Sequence, residues 1–191
     1  ARRCRQGPSL PDHGRRIRLR LRTQVFRAHD PRWAFSPVSG DGAALHGGRF
    51  NPVGRPALYT SLSQHGAWVE AQQGFPFKAQ PVTICSYAVD CDAILDLCDP
   101  DTRSLQGVDE ADLACAWELL AHQGQTPPSW KLCDRLLSQG IAGVIVPSFA
   151  PGARADMRNV VFWKWSDRLP HQVQVVDDLS RLPRDQSSWS R

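Results

Sequence analysis

HGGRFNPVGRPALYTS, residues 46–61, decides how the rest of the chain is read. Two glycines let the backbone approach a neighbour closely, and an arginine follows at once. Asn51-Pro52 marks a turn, Gly54 and Pro56 punctuate the exit, and a short apolar run ends in Tyr-Thr-Ser. A chain that needed only a turn has no use for a guanidinium at its centre. The segment reads as a loop that holds Arg49 against something anionic, followed by a strand that delivers Tyr59. Two partners are open: a ligand phosphate, which guanidinium grips bidentately, or a neighbouring carboxylate. No Gly-Lys-Ser/Thr follows, so this is not a Walker loop.

Working outward, RIRLRLRTQVFR alternates Ile17, Leu19 and Leu21 with Arg16, Arg18 and Arg20, the period of a half-buried strand with a basic outer face at a sheet edge. Residues 28–55 read as one long Gly/Pro/Asn/Asp-rich loop, a length that in a compact domain points to function. PALYTS (56–61) is a short strand, and SQHGAWVEAQQ (63–73) a helix capped by Ser63 and stopped by Gly74. PVTICSYAV (81–89) is apolar on both faces and reads as an interior strand. Leu113, Ala116, Trp117 and Leu120 fall at i, i+3, i+4 and i+7, predicting one amphipathic helix over 109–122. A further helix starts at Ser129 and stops at Gly140. GVIVPS (143–148), NVVFWKW (159–165) and QVQVV (172–176) complete the strands. Without regular βαβ alternation the class is α+β, with three main helices on a mixed or antiparallel sheet.

Length and a 41% hydrophobic content suit one domain with one sizeable core. The expected division is a basic arm over 1–14, a single domain over 15–180 and a tail over 181–191. Net charge is +4, yet residues 1–22 hold eight arginines against one acid, Asp12, so the remainder is slightly acidic. No apolar run reaches the roughly 18 residues of a membrane span, and the arginine-rich start lacks the apolar stretch of a secretory signal. Six cysteines lie without a CxxC pair or zinc-ligand spacing. They read as small buried groups, with no metal expected and a cytoplasmic location.

Six residues at element edges are candidates for chemistry, each with a plainer alternative. Arg49 holds an anion or an internal carboxylate. Arg27 ends a strand just before the long loop. Tyr59 fills the core with its hydroxyl at the rim, or stacks on a ring in a cleft. Glu70 is solvated, as helical glutamates usually are, or faces inward among Ala67, Trp68, Val69 and Ala71. An inward carboxylate is what a developing cationic sugar centre requires. Ser148 follows GVIVP as a ligand contact or a turn serine. Asn159 begins a strand and either contacts ligand or satisfies backbone. No catalytic triad is legible, since nothing resembles a GxSxG elbow.

Taken in order, VFR (25–27), GGRFN (47–51), ALYTS (57–61), AWVEA (67–71), VIVPS (144–148) and NVVFW (159–163) resemble the RES-domain family over about residues 23–166. That family is named for an arginine, a glutamate and a serine and contains toxins of bacterial toxin–antitoxin pairs. The resemblance implies an ADP-ribosyltransferase-like fold that binds and cleaves NAD⁺. Arg49, Glu70 and Ser148 would be the eponymous residues, with Arg27 and Tyr59 as further cleft residues and Asn159 a lesser candidate for binding the dinucleotide. It also implies a helix-turn-helix antitoxin that occludes the cleft, with nucleic acid reached only through that partner. The acceptor of ADP-ribose, whether protein side chain, phosphate or water, is left open. Phe50 and Ala28 depart from the family pattern, and both departures bear on ring packing around the dinucleotide. Two other functions stand beside this one: a nucleic-acid-binding module using the arginine arm, and a catalytically silent NAD-binding domain.

Overall fold

The structure is a computed structural model that describes residues 18–72 and 81–187. The basic arm expected over 1–14 lies outside the described residues, as do Ile17 and Gly74. Six strands form one sheet: β1 (Leu19–His29), β2 (Leu58–Ser61), β3 (Thr83–Asp96), β4 (Gly143–Pro147), β5 (Arg158–Phe162) and β6 (His171–Val175). Their order is β1-β2-β5-β4-β3-β6, and β1 also pairs with β3. Five strands therefore close into a ring, with β6 added on β3. Every pairing is antiparallel except β3 with β4.

Long β3 makes closure possible. One of its sides pairs with β1 from Thr83 to Ile94. The other pairs first with β6 over Tyr87–Cys91 and then with β4 over Ile94–Asp96. Ala93, with φ of 61°, sits where β3 changes partner. β1 meets β2 at Phe26 alone, so over Leu19–Val25 it pairs with β3 only and is an edge strand, its outer-face Arg20 and Arg22 paired with Asp90 and Asp92 of β3. One expectation is corrected: the 81–89 strand is not buried on both faces, since Cys85, Tyr87 and Val89 point into the core while Ile84 and Ala88 are exposed. Being central in a sheet fixes a strand's hydrogen bonds, not the cover on both its faces.

The strands buried on both faces are β4 and β5. Ile145, Val160 and Phe162 meet Val25, Leu58, Tyr87 and Ile94 inside the ring. Val144, Val146 and Val161 face outward against Leu113, Leu132, Leu136 and Trp163. Each such side chain removed from water contributes roughly 1.5–3 kcal/mol, which is why GVIVP and NVVF read as unbroken apolar runs.

The described residues hold six α-helices rather than three main ones: α1 (Asp41–His46), α2 (Gln64–Gln72), α3 (Pro100–Leu105), α4 (Glu110–Leu113), α5 (Trp117–His122) and α6 (Pro128–Ser138). Only α2 and α6 exceed six residues. The amphipathic helix expected over 109–122 is broken at 114–116, where the chain turns its carbonyls toward Arg49. Helix α6 starts at Pro128, which needs no amide partner; Ser129 is buried inside the first turn and accepts a hydrogen bond from the Cys115 thiol at 3.3 Å. The long loop over 28–55 contains structure of its own, a 3-10 turn at Pro31–Trp33 followed by α1. All five described cysteines are free, and burial pushes Cys91 and Cys98 up to about 12, so both stay protonated thiols. Among the described residues no helix is long and apolar enough to cross a membrane.

Candidate active site

The ring has one thin seam. β1 and β2 meet at a single register pair, Phe26 opposite Ser61, and then diverge. Helix α2 packs across both strands. Between them opens a cleft of about 170 Å³, lined by Phe26, Arg27 and Ala28 of β1, Tyr59 to Ser61 of β2, Ala67, Glu70 and Ala71 of α2, and Asn159 of β5.

Glu70 reaches this cleft because of helical spacing. Ala67, Glu70 and Ala71 stand at i, i+3 and i+4, on one face of α2, and the two alanines leave room around the carboxylate. The helix start is fixed by Ser63, whose hydroxyl accepts from the Gly66 amide at 3.0 Å. Glu70 Oε1 accepts two hydrogen bonds, from Ser148 Oγ and from Asn159 Nδ2, each at 2.5 Å. Bonds to a charged acceptor are about twice as strong as neutral ones. The carboxylate is thus held through one oxygen, and Oε2 accepts no hydrogen bond among the described residues. Asn159 Oδ1 is buried and has no hydrogen-bond partner. Turning the amide over would set that oxygen against the carboxylate, so the orphan acceptor belongs to the observed orientation.

Arg49 sits on a turn pinned from every side. Gly48 and Asn51 exchange backbone hydrogen bonds at 2.9 and 3.3 Å. The Trp130 indole donates to Gly48 O and the Trp163 indole to Phe50 O, both at 2.8 Å. Tyr59 donates to Asn51 Oδ1 at 2.7 Å and accepts from the Phe50 amide at 3.0 Å. Gly48 is required here, since a Cβ would lie 2.6 Å from the Tyr59 hydroxyl. Among the described residues no carboxylate pairs with the guanidinium. Its Nη1 donates to Leu113 O at 3.2 Å and Cys115 O at 2.5 Å, and its Cζ lies over the Phe149 ring, 4.6 Å from the centroid. Burial lowers its pKa from the ordinary arginine value, partly offset by Cys115, Glu70 and Tyr59.

Arg27 is spent in part on the loop: Nη1 donates to Pro37 O at 3.1 Å and Ser39 O at 2.7 Å. Among the described residues neither Arg27 nor Arg49 forms an ion pair. Of the six candidates, Arg27, Tyr59, Glu70 and Asn159 line the cleft together. Ser148 joins them through Glu70, and Arg49 stands beside the lining rather than in it, close enough for the carboxylate to act on its pKa. Of the two departures, Ala28 lines the cleft, whereas Phe50 is buried in the core. Sequence reasoning missed Asn51, fully buried, whose amide donates to three carbonyls, at Ala43, Pro52 and Arg55. The Asn-Pro turn carried that signal. Nothing local marked Phe149 or Trp130.

No curated protein sequence matches the chain. Among solved structures it is similar to one in the crystal structure of the M. tuberculosis MbcT–MbcA toxin–antitoxin complex, at 21% identity, with 84% of each chain covered and a TM-score of 0.53. That likeness is one of fold. The RES domain profile matches residues 24–185, a span that takes in every residue lining the cleft, and the chain belongs to the RES domain family.

Proposed function

We propose that this protein is the toxin of a type II toxin–antitoxin pair, an ADP-ribosyltransferase-like enzyme that binds NAD⁺ and cleaves the bond between nicotinamide and ribose. The observation that carries the reading is the Glu70 carboxylate, fixed by Ser148 and Asn159 in a cleft that Arg27 also lines. Family membership and the fold shared with a chain of a toxin–antitoxin complex support the same reading.

In this mechanism the C–N bond electrons leave with nicotinamide, which departs as a neutral molecule. Positive charge then develops at the anomeric carbon and ring oxygen of the ribose. Glu70 Oε2 offsets that charge or holds a ribose hydroxyl, and its electrostatic effect is greatest in the transition state. Asn159 keeps the carboxylate in place through Nδ2, its own Oδ1 being buried. The Tyr59 ring packs against the nicotinamide riboside while its hydroxyl stays on the Arg49 turn. Arg27 offers its remaining N–H groups to the diphosphate. Arg49 adds positive field beside it. The acceptor, a protein side chain, phosphate or water, attacks the anomeric carbon with a lone pair and gives up its proton. A helix-turn-helix antitoxin that covers the cleft is the expected partner.

The nucleic-acid reading loses part of its support because Arg20 and Arg22 are already paired with Asp90 and Asp92. The test is NAD⁺ consumption by wild type and Glu70→Gln, with products resolved in the presence and absence of phosphate and lysate. Glu70→Gln keeps shape and removes charge, so turnover falls by about 2–4 kcal/mol in barrier while NAD⁺ affinity changes little. Full turnover in a folded Glu70→Gln protein would falsify the assignment. No consumption by wild type selects the silent binding domain.

A further inference from the structure

Arg27 lines a second cleft as well. This one is about 420 Å³ and is walled by Trp33, Phe35, Pro37, Leu45 and His29. Trp33 and Leu45 are 55% and 68% exposed, two large apolar side chains left in water around one concavity. Such concentrated apolar exposure marks a binding surface more often than a single exposed residue does. Trp33 and Phe35 have ring centroids 6.2 Å apart at 36°, a tilted aromatic pair. Asp41 and Ser36 add acceptors among these rings. The wall is preformed: Arg27 donates to the carbonyls of Pro37 and Ser39, and Tyr87 donates to Pro37 O at 2.8 Å.

The catalytic cleft, at 170 Å³, falls below the roughly 300–1,000 Å³ of sites that enclose a drug-sized ligand. A dinucleotide exceeds that scale, so only its reacting nucleoside fits beside Glu70. Its other end must leave past a neighbouring wall, and Arg27 is the residue both clefts share. Nε and Nη2 of Arg27 make no hydrogen bond among the described residues, which leaves them for a diphosphate between the two clefts.

Building on the NAD⁺ reading, we propose that the Trp33–Phe35–Leu45 cleft holds the purine ring of the dinucleotide. An aromatic, largely apolar slot takes a flat base by stacking, and Asp41 or Ser36 accepts from its exocyclic amine or from a ribose hydroxyl. The catalytic cleft then keeps the nicotinamide riboside alone.

Calorimetric titration of AMP and of ribose 5-phosphate, which lacks the ring, tests this directly. AMP binds wild type and Glu70→Gln alike, at least about tenfold tighter than ribose 5-phosphate, and Trp33→Ala removes that advantage. Leu105→Ala, which replaces an equally exposed apolar residue on α3 lining neither cleft, binds AMP as wild type does. With NAD⁺ as substrate, Trp33→Ala raises KM about tenfold with a far smaller change in kcat. AMP binding that ignores Trp33, or ribose 5-phosphate binding as tightly as AMP, overturns the proposal even if NAD⁺ is consumed. AMP held through Trp33 by a wild type that does not consume NAD⁺ upholds the cleft and removes the enzyme reading instead.

Discussion

Ser148 has one hydroxyl hydrogen, and that hydrogen points at Glu70. Its oxygen meanwhile accepts from the Ala150 amide at 3.4 Å. A serine so committed is expected to act by positioning the carboxylate. Ser148→Ala should therefore lower kcat for NAD⁺ by roughly tenfold, the size of one hydrogen bond to a charged group, and leave KM nearly unchanged. A variant that raises KM instead would place the serine on the substrate. His29, at the far end of β1, supplies a pH test. Burial holds its pKa below the usual imidazole value; the Asp30 carbonyl and carboxylate oppose this and the Arg27 charge reinforces it. The unfolded chain then binds the proton more tightly than the folded one. Stability from this residue is complete above about pH 6.5 and declines as pH falls toward the lower folded value. Tm of wild type against His29→Gln between pH 8 and pH 5 reads it: the gap between the two narrows on acidification. A gap that stays constant or widens would remove His29 from the pH response.

At the scale of elements, close approach matters as much as periodicity. Gly143 opens β4 opposite Phe162 of β5, and a Cβ there would lie 2.5 Å from the Val161 carbonyl oxygen and 3.2 Å from Phe162 Cα. Backbone cannot rotate aside as a side chain can. Gly143→Ala should cost about 1–3 kcal/mol, as overpacking does, visible as a lower denaturation midpoint; an unchanged midpoint would show that β4 and β5 separate freely. The strands were the most legible elements because their runs answer to burial alone: residues 144–146 and 160–162 alternate between two clusters and so stay apolar throughout. Helix α2 was legible through Ser63, whereas the sequence left the direction of Glu70 open between solvent and cleft, which the bonds from Ser148 and Asn159 decide. What stayed hidden were effects of distant residues. The pattern over 109–122 is helical, yet Arg49, more than sixty positions earlier, takes the carbonyls where it breaks. Likewise GGRFN exposed Arg49 as a candidate, while the indoles of Trp130 and Trp163 that hold its turn carry no local mark.

For the whole molecule, closure of the sheet leaves a weak place, and the cleft occupies it. β3, β4 and β5 are paired along both sides, whereas β1 and β2 share one register pair with α2 laid over the gap. Opening there breaks few backbone bonds, so local opening should cost less than elsewhere. Amide hydrogen exchange of Glu70→Gln, in which the proposed NAD⁺ cleavage is expected to be slowed by about 2–4 kcal/mol in barrier, tests this scale. Without ligand, amides of α2 and of 58–61 should exchange faster than those of β4. NAD⁺ at about a hundred times its Kd adds about 2.7 kcal/mol to the folded state. In the proposed binding mode the ligand bridges β1, β2 and α2, so the largest gain in protection should fall on residues 25–28, 58–61 and 64–72. Equal slowing at all sites would mean that the ligand stabilises the fold without closing the seam. Protection confined to 33–46 would mean that it occupies the aromatic cleft alone, and Glu70 would then have no part in holding it.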